Sequence, residues 1–162
     1  MQDQVTAIPL ANMTVTTAIP LLERLYHVSR MWGEWAAEQG YDNVDMDAFG
    51  REAVGKLSSG RTEYFLLMVG EEIIGFLEAT VSYDPAISQG VLFGERAYIV
   101  PEWRERGVYT KAFDAMEAWG KEEKAVRQAV VEVAVGSRMQ AFYEARGFEV
   151  TDLKMRRIDE VH

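Results

Sequence analysis

Three strand-length apolar runs lie one after another in the middle of this chain, and they limit the fold more than any other feature. Residues 64–69 and 73–81 are separated by Gly70, Glu71 and Glu72, and a third run, 91–100, follows a loop through Tyr83, Asp84, Pro85, Gln89 and Gly90 and stops at Pro101. Two apolar runs around so short a glycine-led polar turn predict a β-hairpin. The third run extends it to three antiparallel strands.

Helical patterns flank this block. Leu21, Leu22, Leu25, Val28, Met31, Trp32 and Trp35 recur at helical spacing between Pro20, which suits a first turn, and Gly40, which suits a stop. Asp45 or Asp47 is placed to cap a second helix with Phe49, Ala53, Val54 and Leu57 inward, ending at Ser58, Ser59 and Gly60. A helix over 108–124 puts Val108, Ala112, Phe113, Met116 and Trp119 on one side. Residues 13–17 are β-branched enough to predict a first strand, and 129–135 are so apolar that a strand covered on both faces is expected. A short helix over 137–146 and a last strand over 148–155 complete the order β-α-α-β-β-β-α-β-α-β. That is an α+β fold of three-layer type, with a mixed, mostly antiparallel sheet flanked by helices. No repeat or linker divides residues 1–162, so a single domain is expected. Its parts would be 13–60 (first strand and two helices), 61–135 (central sheet) and 136–155 (last helix and strand).

The chain has 162 residues, enough for one buried core, and no apolar run near the ~20 residues that span a bilayer. Its start, Met1, Gln2, Asp3 and Gln4, lacks the basic end and apolar centre of a signal peptide, so a cytoplasmic location is expected. Without cysteine there is no disulfide, thiolate metal site or cysteine nucleophile, and His27 and His162 alone do not make a zinc site; no metal is expected. A formal charge of −9 argues against nucleic-acid binding and is compatible with attraction of a cationic amine or basic peptide. It also serves solubility.

The junction at residues 97–113 carries the chemistry. A strand ends at Pro101, and an arginine-containing turn leads through Gly107 straight into a helix. The first helical N–H groups there have no internal acceptor and lie at the positive end of the dipole, and glycine admits close approach of a phosphate. The signatures of nucleotide hydrolases and of dinucleotide folds are absent.

This junction resembles that of the GNAT superfamily of N-acetyltransferases. Arg104-Glu105-Arg106-Gly107-Val108-Tyr109 is similar to the family's Arg/Gln-x-x-Gly-x-Gly/Ala. About thirty residues on, Phe142, Tyr143, Gly147 and Phe148 are similar to its Tyr-x-x-x-Gly-Phe segment. The resemblance covers roughly residues 60–155. It implies an acetyl-CoA-dependent transferase that acts on a primary amine by direct attack. The backbone of Ala97, Tyr98 and Ile99 would hold the pantetheine arm. The N–H groups of Glu105, Arg106, Gly107, Val108, Tyr109 and Thr110 would hold the pyrophosphate, with charge from Arg104 and Arg106. Tyr143 matches the tyrosine that protonates the departing thiolate; a phenol of pKa ~10 is protonated at neutral pH.

Two positions depart from the pattern. Tyr109 takes the place of a small residue, and Gly136 that of an asparagine seven residues before the tyrosine. The family's strand glutamates align with the apolar Phe93 and Val131. Glu95, two residues from Phe93 and so on its strand face, is the first candidate base. Glu78 and Glu132 are alternatives, each equally readable as a solvent-facing strand residue, and a water-mediated route needs no dedicated base. The first helices and their loop would form one wall of the acceptor site. There Asp42, Asp45 and Asp47 either attract an amine or cap and solubilise, and Trp32, Trp35 and Tyr41 read as core packing. A homodimer is common in the superfamily. A CoA-binding or regulatory module without turnover, and transfer of a longer acyl group, are the competing readings.

Overall fold

The computed structural model describes residues 5–9, 21–133, 136–152 and 155. Its elements are β1 (Val5–Pro9), α1 (Leu21–Glu38), α2 (Met46–Ser58), β2 (Thr62–Val69), β3 (Glu72–Asp84) and β4 (Gln89–Ile99). A single 3-10 turn (Pro101–Trp103), α3 (Val108–Lys124), β5 (Gln128–Val131) and α4 (Arg138–Ala145) follow. The sheet runs β1-β2-β3-β4-β5, antiparallel except for the β4–β5 pair. This is the mixed α+β sheet that the element order predicts. The chain divides into two compact units, residues 1–131 and 132–162.

In the first unit, β2 is buried on both faces, and period-2 alternation decides what each residue meets. Tyr64, Leu66 and Met68 join Leu25, Val28 and Met31 of α1 and Phe49 and Ala53 of α2 in one core. Phe65 faces the other way, edge-on to Trp119 of α3 with ring centroids 6.0 Å apart. All five residues expected on the inner face of α3 are buried. Gly75 is obligatory where β3 crosses the end of β4, since a Cβ there would sit 2.5 Å from the Tyr98 carbonyl oxygen. Asp45 caps α2 by accepting the Ala48 N–H at 2.9 Å, as expected.

Several expectations need correction. The strand that pairs with β2 is Val5–Pro9, while the expected first strand at 13–17 lies outside the described residues. Val54 is 47% exposed and Tyr41 53%, so neither belongs to the core; each lies where its helical face or loop turns toward solvent. Among the described residues β5 is four residues long, half-buried at best, and paired with Val91–Gly94 of β4. Apolar composition there does not signal two covered faces.

In the second unit, Ser137 caps α4 by accepting the Gln140 N–H at 3.2 Å. The helix ends as the Gly147-Phe148 pair dictates. Gly147 takes a φ of +87°, and the Phe148 N–H returns to the Tyr143 carbonyl at 3.1 Å, a Schellman closure. The described residues 148–152 form no strand; the rest of the expected last strand lies partly outside the described residues. Alternating apolar residues become a strand only where another strand accepts their hydrogen bonds.

Candidate functional site

The junction between β4 and α3 is built from local rules. Pro101 starts a 3-10 turn, Glu105 and Gly107 take φ values of +62° and +74°, and Val108 is buried as the first residue of α3. A left-handed residue followed by helical ones turns successive N–H groups to one side, making an anion-binding concavity. Gly107 brings no side-chain cap, and the first turn of α3 carries no acid. By helix geometry the first N–H groups, from Val108 onward, have no intrahelical acceptor. A Cβ at Gly107 would meet nothing within 4 Å among the described residues, so no side chain crowds the entry to the helix at that point. A pyrophosphate fits this donor set in charge and in hydrogen-bonding capacity.

Upstream, a β-bulge decides what the end of β4 offers. Glu78 pairs with Arg96 and Ala79 with Gly94, so Glu95 is the extra residue. Within this unit, β5 pairs with β4 only as far as Gly94. The Val100 N–H goes to the Ile74 carbonyl on β3 at 2.9 Å. Antiparallel alternation then directs Tyr98 toward β3 and the N–H and C=O groups of Ala97 and Ile99 toward the other edge. An extended amide-bearing ligand matches such an edge. The two features follow each other directly, edge first and helix N-terminus second.

The two arginines of the turn are placed differently. Arg104 donates from Nε to the Ile99 carbonyl at 2.8 Å and from an Nη to Glu38 of α1 at 2.6 Å, and its guanidinium lies 5.3 Å from the Tyr98 ring centre. The Glu38 hydrogen bond raises its pKa further. Arg106 is exposed and sits 5.2 Å over the Trp103 ring. Tyr109 stacks on Phe113 at 6.3 Å, which takes its bulk along the helix.

The candidate bases separate clearly. Glu95 is exposed, and because it is the bulge residue, strand alternation from Phe93 no longer assigns its face. Glu78 is fully buried, with one oxygen 2.9 Å from Lys56 Nζ and the other 3.4 Å from Arg96. That arrangement is a structural ion cluster joining α2, β3 and β4. Burial first, then the charge of Glu78, pushes the Tyr64 phenol well above the ordinary tyrosine range. Lys56 is held above its usual value: burial lowers it, and hydrogen bonds to Glu78 and Glu52 outweigh that.

In the loop between α1 and α2, Asp45 caps α2 and Asp42 is exposed, while Asp47 lies in that helix's first turn. Trp32 and Trp35 pack on the core, and half-buried His27 meets the Tyr26 ring edge-on. His162 lies outside the described residues. In the second unit, Tyr143 is buried between Phe142 and Phe148, each ring 5.3 Å away. Gly136 donates its N–H to Gln140 Oε1 at 2.6 Å, and Glu132 is exposed. Among the described residues no helix is long and apolar enough to cross a membrane.

Sequence reading missed Glu34, which meets Tyr98 at the end of β4, and Glu38, which meets Arg104 in the turn beyond it. Burial, followed by a hydrogen bond to Glu34, raises the Tyr98 phenol to about 12. The available signal was two acids one helical turn apart, which repel unless a partner lies between them.

Comparison with known proteins places the chain in a family and a fold. Residues 23–148 match the model of the acetyltransferase (GNAT) family. An aminoglycoside N(6')-acetyltransferase type 1 of Salmonella typhimurium is 29% identical over 91 residues, a match covering 54% of this chain and 63% of that protein. The fold is that of AAC(6')-Iy solved with the bisubstrate analogue CoA-S-monomethyl-acetylneamine (TM-score 0.72, 22% identity, 98% of this chain and 99% of that one). It is also that of a possible acetyltransferase from Clostridium difficile 630 (TM-score 0.72, 15% identity, 98% of each chain).

Proposed function

The chain belongs to the acetyltransferase (GNAT) family, and on that premise we propose that it transfers the acetyl group of acetyl-CoA to a primary amine by direct attack. The observation that carries this reading is the succession from the outward edge of β4 at Ala97 and Ile99 to the uncapped N-terminus of α3. Bound acetyl-CoA supplies an acetyl group already activated as a thioester. The N–H groups of Gly107, Val108, Tyr109 and Thr110 hold the pyrophosphate charge, with Glu105 and Arg106 contributing theirs from the turn. Ala97 and Ile99 orient the amide arm. The neutral amine nitrogen forms the new C–N bond as the C–S bond breaks. Tyr143 gives its hydroxyl proton to the departing sulfur, and Glu95, or water next to it, takes the proton that the amine sheds.

The acceptor we propose is a polycationic amine of the aminoglycoside kind. The similarity to aminoglycoside N(6')-acetyltransferases and a net charge of −9 both favour it. The test is thiol release from acetyl-CoA across a panel of amines, with mass spectrometry of the product. Turnover with an aminoglycoside is expected, together with a drop in kcat of at least ~10-fold for Tyr143→Phe. Full activity of that variant removes Tyr143 as the acid. Binding of CoA without acetylation of any amine would favour a non-catalytic module.

A further inference from the structure

We propose that Glu38 and Arg104 are positioning residues that brace the end of β4 and the phosphate turn against α1, in place of a direct phosphate contact from Arg104. The inference rests on the proposed acetyl-CoA site. Two nitrogens of the guanidinium are committed on the strand side of the turn, one to Glu38 at 2.6 Å and one to the Ile99 carbonyl at 2.8 Å. Its face lies over the Tyr98 ring at 5.3 Å, so the planar fork is fixed in three directions.

The partner side is organised to receive it. Glu34 and Glu38 are one turn apart on α1 and repel each other, a cost that a cation at Glu38 offsets. Tyr98, buried beneath, meets Glu34 with its hydroxyl. One helix thus grips β4 at two successive points, Tyr98 and the residue that bonds Ile99. The turn needs such a hold. Glu105 is a non-glycine residue in the left-handed region, a conformation that persists only where its surroundings impose it. The Nε bond also ends the outward edge of β4, because it takes up the Ile99 carbonyl where the edge meets the turn.

The side chains of Arg104 and Glu38 are 39% and 43% exposed, so losing the pair costs little global stability and the variants fold. Glu38→Gln is expected to weaken acetyl-CoA binding about fivefold. Arg104→Met should do the same, and the double variant should be no worse than either alone. KM for acetyl-CoA rises, kcat and the thermal midpoint hold, and the salt dependence of binding matches that of the unaltered protein. Amide hydrogen exchange across residues 99–107, measured without any CoA, is expected to quicken in all three variants.

A different pattern overturns the proposal. If Arg104→Met weakens binding and flattens its salt dependence while Glu38→Gln leaves binding unchanged or tighter, Arg104 is a phosphate ligand. Unchanged exchange in 99–107 in both single variants also defeats the brace. Because exchange is read without ligand, a chain that binds no acetyl-CoA breaks the proposed function and leaves the brace to stand or fall on exchange alone.

Discussion

Helix α2 begins at Asp45, whose carboxylate accepts the Ala48 N–H at 2.9 Å, and it carries Asp47 in its first turn. Helix α3 begins at Gly107, with no side-chain cap and no acid in its first turn, although five of its apolar residues anchor it in the core. A capped helix satisfies its own orphan donors and part of its dipole. An uncapped one leaves both to a ligand. The stability that α2 draws from its cap α3 draws from Val108, Ala112, Phe113, Met116 and Trp119, so its N-terminus needs no cap of its own.

The sharpest way to break this contrast is to make α3 resemble α2. Gly107→Asp places a carboxylate where the pyrophosphate charge would lie, and aspartate tolerates a positive φ better than most residues. Acetyl-CoA affinity is expected to fall by about 100-fold, from repulsion at a few ångströms added to loss of the open approach, with little change in melting temperature. Titration calorimetry beside a thermal melt checks this; unaltered affinity would mean that the α3 N-terminus holds no phosphate.

A second test concerns the strand that leads into α3. The Tyr98 phenol is raised to about 12, above its unfolded value near 10, so the folded chain binds more protons between those limits. The stabilising contribution is therefore complete below pH ~10 and is lost as pH rises toward 12. Denaturant melts over pH 9 to 12 should show this loss, smaller in Tyr98→Phe. Lys56 of α2, also held above its usual value, adds to the alkaline loss in both proteins, so the difference between them is what reports on Tyr98. If Tyr98→Phe leaves the alkaline fall unaltered, the grip of α1 on β4 does not include this hydroxyl.

The smallest effect is expected at α2 itself. Asp45→Ala removes one cap bond and should lower unfolding stability by about 1 kcal/mol while leaving acetyl-CoA affinity unchanged. A matching loss of affinity would show that the acidic loop belongs to the site and not merely to its helix.

Much of this comparison is legible from residues alone. The bounds of α3, its buried face, the Asp45 cap and the hairpin at residues 70–71 all follow from local signals, because capping, periodicity and turn chemistry act over a few residues. The Tyr-x-x-x-Gly-Phe pattern likewise has a local cause: Gly147 and Phe148 end α4 and bring the Phe148 ring against Tyr143. What escaped depends on partners distant in the chain. Strand Val5–Pro9 exists because β2 has an edge to pair with. The bulge at Glu95 shifts the alternation that would have assigned its face. Glu78 looks like any strand glutamate until Lys56 and Arg96 are seen to enclose it.

The sequence by itself determined the order of elements from α1 to α4 and an uncapped, glycine-entered helix after a strand, since both are written in neighbouring residues. Only the tertiary structure decided what the charged residues of that junction do. Arg104 and Glu38 stand 66 positions apart and meet because α1 packs beside the end of β4. The direction a charged side chain takes is set by whichever partner the fold brings within reach. Residue type and spacing do not encode that partner.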